Sequence, residues 1–251
     1  MADLGWLTER PIAHRGLHDA ARGIVENSES AVQAALEHGY AIEIDLQLTG
    51  DGQAVVFHDE TLGRLTSAEG PVVERPVGEL VQIGYRQGGD RIQPLAGLLE
   101  QVAGKTPLVI ELKSLWDGGD ALERHVAEQL RNYQGHAAVM SFDPRSIAAL
   151  RRIAPALTRG IVACRFADAG EWPMLNAWQR FAMRHLLHWQ RTKPDFISYD
   201  LQDLSSLAPR LVRVSGCPLI TWTVRSEADH ARAAGRADQI TFEGFLPAVS
   251  P

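Results

Sequence analysis

A chain of 251 residues with 45% hydrophobic and 22% charged residues has room for a sizeable core, which excludes disordered and fibrous architectures. Its net charge of −6 gives no general reason to expect nucleic acid as a partner, and an anionic substrate would need a local cluster of cations. The only cysteines, Cys164 and Cys217, form no CxxC, no stretch is apolar enough to cross a bilayer, and MADLGWLTERPIAHRG lacks the pattern of a secretion signal, so a reduced, cytoplasmic setting is the expectation.

Short aliphatic and β-branched runs alternate with helical patterns, which predicts an α/β chain with parallel strands. In order they are PIAH from Pro11, AIEIDLQL from Ala41, AVVFH from Ala54, LVIEL from Leu108, AVMSF from Ala138, GIVAC from Gly160, FISYD from Phe196, LITWTV from Leu219 and QITFEG from Gln239. A closed (β/α)8, or TIM, barrel has eight places, one fewer than these runs. The surplus run is the third. Between Leu48 and Ala54 there is room only for a turn around Gly50-Asp51-Gly52, whereas a parallel crossover needs about a dozen residues. AVVFH therefore folds back antiparallel beside the second barrel strand. A turn centred on Asp51 sets Asp45 opposite Phe57 and Glu43 opposite Asp59, and returns His58 to the level of the carboxylates.

Helices are predicted over Ser28 to His38, with Asn27 or Ser28 as N-cap and Gly39 past the end, and over Asp120 to Tyr133, Pro144 to Ile153 and Ser226 to Ala234. Residues 60–93, rich in Gly, Pro and polar side chains, read as a small insertion over one mouth of the barrel, so that 1–251 forms one domain. In Trp172 to Arg191, apolar Leu175, Trp178, Ala182, Leu186 and Trp189 recur at helical spacing among Arg180, Arg184, His188 and Arg191. The first reading is an outer barrel helix packed by that stripe; the second is a basic, Trp-bearing helix in peripheral contact with a membrane.

Two strands carry charge in an ordered way. In IEIDLQLT, Ile42, Ile44, Leu46 and Leu48 share one face, and Glu43, Asp45, Gln47 and Thr49 the other. In LVIELK, Leu108, Ile110 and Leu112 oppose Val109, Glu111 and Lys113. A barrel packs one face of each strand on helices, points the other inward, and gathers functional groups at the C-terminal strand ends. Singly, these charges read as solvated strand faces, His14 as a strand-end histidine and Arg15 as a surface cation. Jointly, Glu43, Asp45 and Glu111 would repel one another unless a proton or cation intervened, and an all-oxygen ligand set suits one divalent ion, Mg²⁺ or Ca²⁺. Two imidazoles, His14 and His58, with cations at Arg15 and Lys113, suit phosphodiester chemistry. Neither a Walker loop nor a GxSxG elbow supports a rival nucleotide or serine-hydrolase reading.

The motifs AHRG ending at Gly16, ENSESAVQAALEHG from Glu26, IEIDLQLTGDGQAVVFHDETLGRLTSAEG from Ile42 and IELK from Ile110 resemble the glycerophosphodiester phosphodiesterases, within the phospholipase-C-like phosphodiesterases on a TIM barrel. The resemblance is dense over the first half and thins to MSFDP and TWTV beyond it. It implies His14 and His58 as paired general acid and base, Glu43, Asp45 and Glu111 as metal ligands, Arg15 and Lys113 as phosphate holders, and Trp222 as an apolar wall for glycerol. The implied reaction, in lipid and glycerol metabolism, releases glycerol 3-phosphate and an alcohol, often through a cyclic phosphate. Three departures bear on the substrate: Ser28 where the family commonly has Thr, Arg225 where Asn is usual, and Thr241-Phe242-Glu243 where the last strand often ends in Thr-Asp. The alternatives are a lysophospholipase-D-like or sphingomyelinase-D-like enzyme acting on lysophospholipid or related lipids, and a barrel that binds phosphorylated ligands without turnover. The sequence carries no signal for oligomeric state.

Overall fold

The computed structural model describes residues 4–249. Nine strands form in chain order: β1 Ile12–Ala13, β2 Ala41–Leu48, β3 Ala54–Val56, β4 Leu108–Leu112, β5 Ala137–Ser141, β6 Thr158–Ala163, β7 Phe196–Asp200, β8 Leu219–Val224 and β9 Gln239–Phe242. Eight of them pair in parallel in the circular order β1, β2, β4, β5, β6, β7, β8, β9, and β9 returns to β1 through Ile12 opposite Thr241. The result is a closed parallel barrel with β3 as the antiparallel extra. The helices are α1 Gly5–Thr8, α2 Glu29–Glu37, α3 Val77–Leu80, α4 Leu95–Val102, α5 Ala121–Leu130, α6 Pro144–Ile153, α7 Ala177–Arg184, α8 Trp189–Thr192, α9 Leu207–Val214 and α10 Glu227–Ala233. None is long and apolar enough to cross a membrane.

Alternation along the strands separates two cores. Ile42, Ile44, Leu46, Leu108 and Ile110 face outward and pack with Val32 and Ala35 of α2, Leu98 of α4 and Val126 of α5. Inside the barrel, Ile12, Val109, Met140, Val162, Phe196 and Ile220 fill the interior beneath and around the mouth, joined by Leu7 of α1. Gly160 makes the fit of this interior depend on a missing side chain, because a Cβ there would lie 2.3 Å from the Phe196 ring.

The hairpin forms as its short turn requires. Leu46 pairs Val56 and Leu48 pairs Ala54, and the Phe57 amide donates to the Asp45 carbonyl at 3.0 Å, a register centred on Asp51. β2 meets β4 along one edge, so β1 and β3 must share the other. β1 is only two residues long, and β3 descends on the same edge from above. Their C-terminal ends, followed by His14 and His58, thus approach each other at the level of Glu43 and Asp45.

Residues 60–93 build a satellite core of Leu62, Val72, Leu80, Tyr85 and Ile92 against Val55 and Phe57, on the side of β3 turned away from the main core. The segment after β6 departs from the expected single helix. It is broken into α7 and α8, with Leu186 between them at φ 54°. α7 buries Met183, whereas Trp178 and Phe181 stack on each other in solvent, 66% and 48% exposed. Trp178 is therefore not part of a packed stripe. It lies on the face of α7 opposite Met183, and periodicity alone does not say which apolar face docks.

Candidate active site

At the C-terminal end of the barrel, Glu43 and Asp45 of β2 and Glu111 of β4 converge, because Asp45 is in register with Glu111 and all three point inward. One carboxylate oxygen from each lies within 4.8 Å of the others, and all three residues are buried. Lys113 Nζ stands between two of them, 2.6 Å from Glu111 Oε1 and 2.9 Å from Asp45 Oδ1. Burial would raise the Asp45 carboxyl, but Lys113, His58 and Arg15 outweigh it and hold Asp45 well below the usual range. Glu43 is pushed well above its ordinary value by burial and by its two acidic neighbours. Burial works against the Lys113 charge too, yet Asp45 and Glu111 hold its ammonium above the ordinary lysine value. Glu43 Oε1 is buried without a hydrogen-bond partner. An orphaned oxygen among three converging carboxylates fits a hard divalent cation.

The AHRG and ENS segments wrap this cluster. The Arg15 amide donates to Glu43 Oε2 at 2.9 Å, and the Gly16 amide donates to the Glu43 carbonyl at 3.1 Å. Gly16 has φ 76°, and a Cβ there would come within 2.8 Å of the Ala31 backbone, so the loop closes onto α2 only with glycine. The Arg15 guanidinium reaches Glu26 at 2.6 Å and Asp45 at 3.3 Å. Asn27 is fully buried, donates to Asp45 Oδ2 at 2.8 Å and accepts from the Asp45 amide at 3.1 Å. The N-cap of α2 is Ser28, so of the two capping alternatives the hydroxyl takes the cap and the amide orients a carboxylate.

Each histidine has its own carboxylate. His58 Nδ1 lies 2.7 Å from Asp59 Oδ1, and Arg64 braces Asp59 from the other side at 2.5 Å. Gln47, inward on β2, donates to the His58 carbonyl at 2.8 Å. His14 Nδ1 lies 2.5 Å from Glu243 Oε2, and Arg225 holds the other Glu243 oxygen at 2.7 Å. Burial lowers the His14 pKa, with its hydrogen bond to Glu243 opposing part of that shift. The Glu243 carboxyl is raised by burial but held far below its usual range by its hydrogen bond to His14 and by the neighbouring His18, 3.7 Å away, and Arg225.

All eight residues expected at the site therefore gather at one mouth. Trp222 both lines the cavity and packs against Phe142, 5.6 Å between ring centres. Tyr199 of β7, by contrast, is fully buried in the outer core and takes no part in the mouth. Sequence reasoning gave no role at the site to Ser198, and although it singled out Gln47, Thr241 and Glu243 it assigned them none. Gln47 shares the polar alternation of β2, and Glu243 is marked by its place just after the last strand, beside the first.

Two cavities meet here. The inner one, of about 170 Å³, includes His14, Arg15, Ser198, Trp222, Arg225 and Thr241 in its walls. The outer one, of about 510 Å³, opens between the hairpin and the segments after β4, β5 and β6. His58, Glu111, Lys113 and Phe142 belong to both and form the throat between them.

Comparison with known proteins adds the lineage. The family model described as the glycerophosphoryl diester phosphodiesterase family matches residues 14–238. A glycerophosphodiester phosphodiesterase of Caldanaerobacter subterraneus is 29% identical over 238 residues, covering 88% of each chain. Protein YqiK of Bacillus subtilis is 32% identical over 160 residues, covering 60% of this chain and 65% of its own. Among solved structures, an Oleispira antarctica phosphodiesterase in complex with the product sn-glycerol-3-phosphate superimposes with a TM-score of 0.73 at 21% identity, covering 92% of this chain and 91% of that one. A glycerophosphoryl diester phosphodiesterase assignment from Silicibacter pomeroyi gives 0.72 at 24%, covering 93% and 89%. At these identities the structural likeness carries the fold.

Proposed function

Because the chain belongs to the glycerophosphoryl diester phosphodiesterase family, we propose that this site hydrolyses a small glycerophosphodiester to glycerol 3-phosphate and a free alcohol, with Glu43, Asp45 and Glu111 holding a divalent cation and His14 and His58 moving the protons. The observation that carries the reading is the convergence of three buried carboxylates with two carboxylate-anchored imidazoles at one mouth. A bound Mg²⁺ or Ca²⁺ would supply positive charge to a phosphate oxygen as that oxygen gains charge. Arg15 and Lys113 add fixed cations beside it.

The two cavities divide the labour. His14 lines only the inner one, whereas His58 lines both. Each imidazole has Nδ1 committed to a carboxylate, which leaves Nε2 for chemistry. With the glycerol end in the inner cavity, His14, favoured in its neutral form by burial, takes the proton of the neighbouring glycerol hydroxyl. That oxygen attacks phosphorus, the bond to the leaving alcohol breaks, and His58 gives the departing oxygen a proton. In the second half His58 takes a proton from water, the water oxygen opens the cyclic phosphate, and His14 returns its proton to the glycerol oxygen. Ser198 and Thr241 are buried, line the inner cavity and have hydroxyls without protein partners, so they suit the glycerol hydroxyls.

A small diester is favoured over a lipid. Of the segment 172–191, Trp172 and Met174 line the outer cavity, while the exposed Trp178 and Phe181 line neither cavity. The test is release of glycerol 3-phosphate from a soluble glycerophosphodiester before and after chelation and with divalent ions restored. Turnover indifferent to chelation would sink the metal assignment, and full turnover in His14→Ala or His58→Ala would sink the proton-transfer assignment.

A further inference from the structure

We propose that the outer cavity is a subsite for a positively charged leaving alcohol, so that the enzyme prefers diesters whose alcohol carries an ammonium group. The inference rests on the hydrolase reading above and names the substrate class of that site.

Its basis is the contrast between the two ends of one channel. The inner cavity has Arg15, Lys113 and Arg225 in its walls beside Glu43 and Glu111, the carboxylates that would hold a divalent cation, so with that cation bound its charge is positive. Beyond the throat the sign reverses. The outer cavity is walled by Asp59, Glu60, Asp143 and Glu171, and past Lys113 and His58 none of its lining residues is basic. Asp59 and Asp143 are already matched by Arg64 and Arg145. Glu60 and Glu171, both exposed, make no ion pair among the described residues, and they line the outer cavity from two segments, one after the hairpin arm and one after β6. A phosphodiester with a cationic head thus meets positive charge at its phosphate and negative charge at its tail. A neutral head would gain nothing from the reversal, and an anionic head would be repelled.

The remaining wall is aromatic. Trp172 packs with its ring centre 5.0 Å from Phe142 and 6.3 Å from Trp116, and all three line the outer cavity. Aromatic walls beside carboxylates are the surroundings in which an alkylammonium is held, by attraction to ring faces and by charge. The volume of about 510 Å³ leaves ample space for a short amino or quaternary ammonium alcohol.

The decisive comparison holds shape constant and changes only charge. Glycerophosphocholine and its neutral carbon isostere, the 3,3-dimethylbutyl ester of glycerol phosphate, are turned over by the wild-type protein with divalent cation present. The expected result is a kcat/KM about tenfold higher for the choline ester, narrowing as salt is raised because the carboxylates lie near solvent. In the double variant Glu60→Gln/Glu171→Gln that ratio falls to about threefold or less. Equal kcat/KM for the two esters in the wild type overturns the proposal, as does a ratio unchanged in the double variant. Failure to turn over either ester would instead overturn the hydrolase reading, and the subsite with it.

Discussion

The two halves of the barrel mouth are built from opposite kinds of side chain. Strands β1 to β4 and the hairpin contribute Glu43, Asp45, Glu111, His14, His58, Arg15 and Lys113, nearly all locked in charged contacts at 2.5 to 3.3 Å. Strands β5 to β9 contribute Met140, Phe142, Val162, Ser198, Trp222 and Thr241, where two hydroxyls lack any partner. Charged groups that must act on phosphorus need a rigid, mutually neutralising network, since an unpaired buried charge is costly. Groups that only receive a substrate can be left unsatisfied at smaller cost. On the proposed mechanism, bond breaking is concentrated on one side of the mouth and recognition on the other, with Glu243, held by Arg225, as the group of the second half that reaches across to serve the first.

Substitutions in the charged half should be the most damaging. His58→Ala or Glu111→Gln is expected to lower kcat by about 10³-fold or more while the far-ultraviolet dichroism stays native, and a loss under about tenfold would break the division. Glu243→Gln tests the crossing contact. Steady-state rates should fall by about 10- to 100-fold, because the His14 ring loses its anionic partner. Glu243 opposes the burial that lowers the His14 pKa, so its removal lowers that pKa further. The acid limb of kcat/KM should consequently move to lower pH; an unmoved limb would deny His14 the role of base.

In the receiving half, Ser198→Ala and Thr241→Val should raise KM by about 3- to 10-fold and leave kcat within about twofold. Both remove buried hydroxyls without partners, so thermal melting should show stability unchanged or slightly higher. A kcat loss as large as that of His58→Ala would erase the proposed contrast. The smallest effect lies away from the mouth. Burial lowers His188 to about 4, and its Nδ1 has no partner. Below the ordinary histidine value the unfolded chain takes up a proton that the folded chain refuses. Stability from this group is thus complete above about pH 6.5 and is lost on descending toward pH 4, by about 3 kcal/mol at most. Denaturant melts of His188→Gln against wild type across that window should show a shallower decline in the variant.

The first half of this chain was readable because its signals are local. A turn too short for a crossover and strict alternation in IEIDLQLT fix the hairpin, its register and the inward face of β2 without knowledge of the rest. Asn27 was harder: an amide beside a serine at a helix start reads as a cap, and only the packed structure shows it bonded to Asp45. The region after β6 was hardest, because α7 carries apolar residues on two faces and the choice between Met183 and Trp178 belongs to the surface it meets.

By itself the sequence determined the strand count, the folding back of the His58 arm, and which carboxylates face inward, since these follow from chain length between elements and from the two-residue period of a strand. Only the tertiary structure decided which carboxylate each imidazole would use and where the site divides into two cavities. His14 and Glu243 are 229 positions apart and meet because β9 closes the barrel against β1. Such closure is a property of the whole sheet, and no local pattern contains the distance between its first strand and its last.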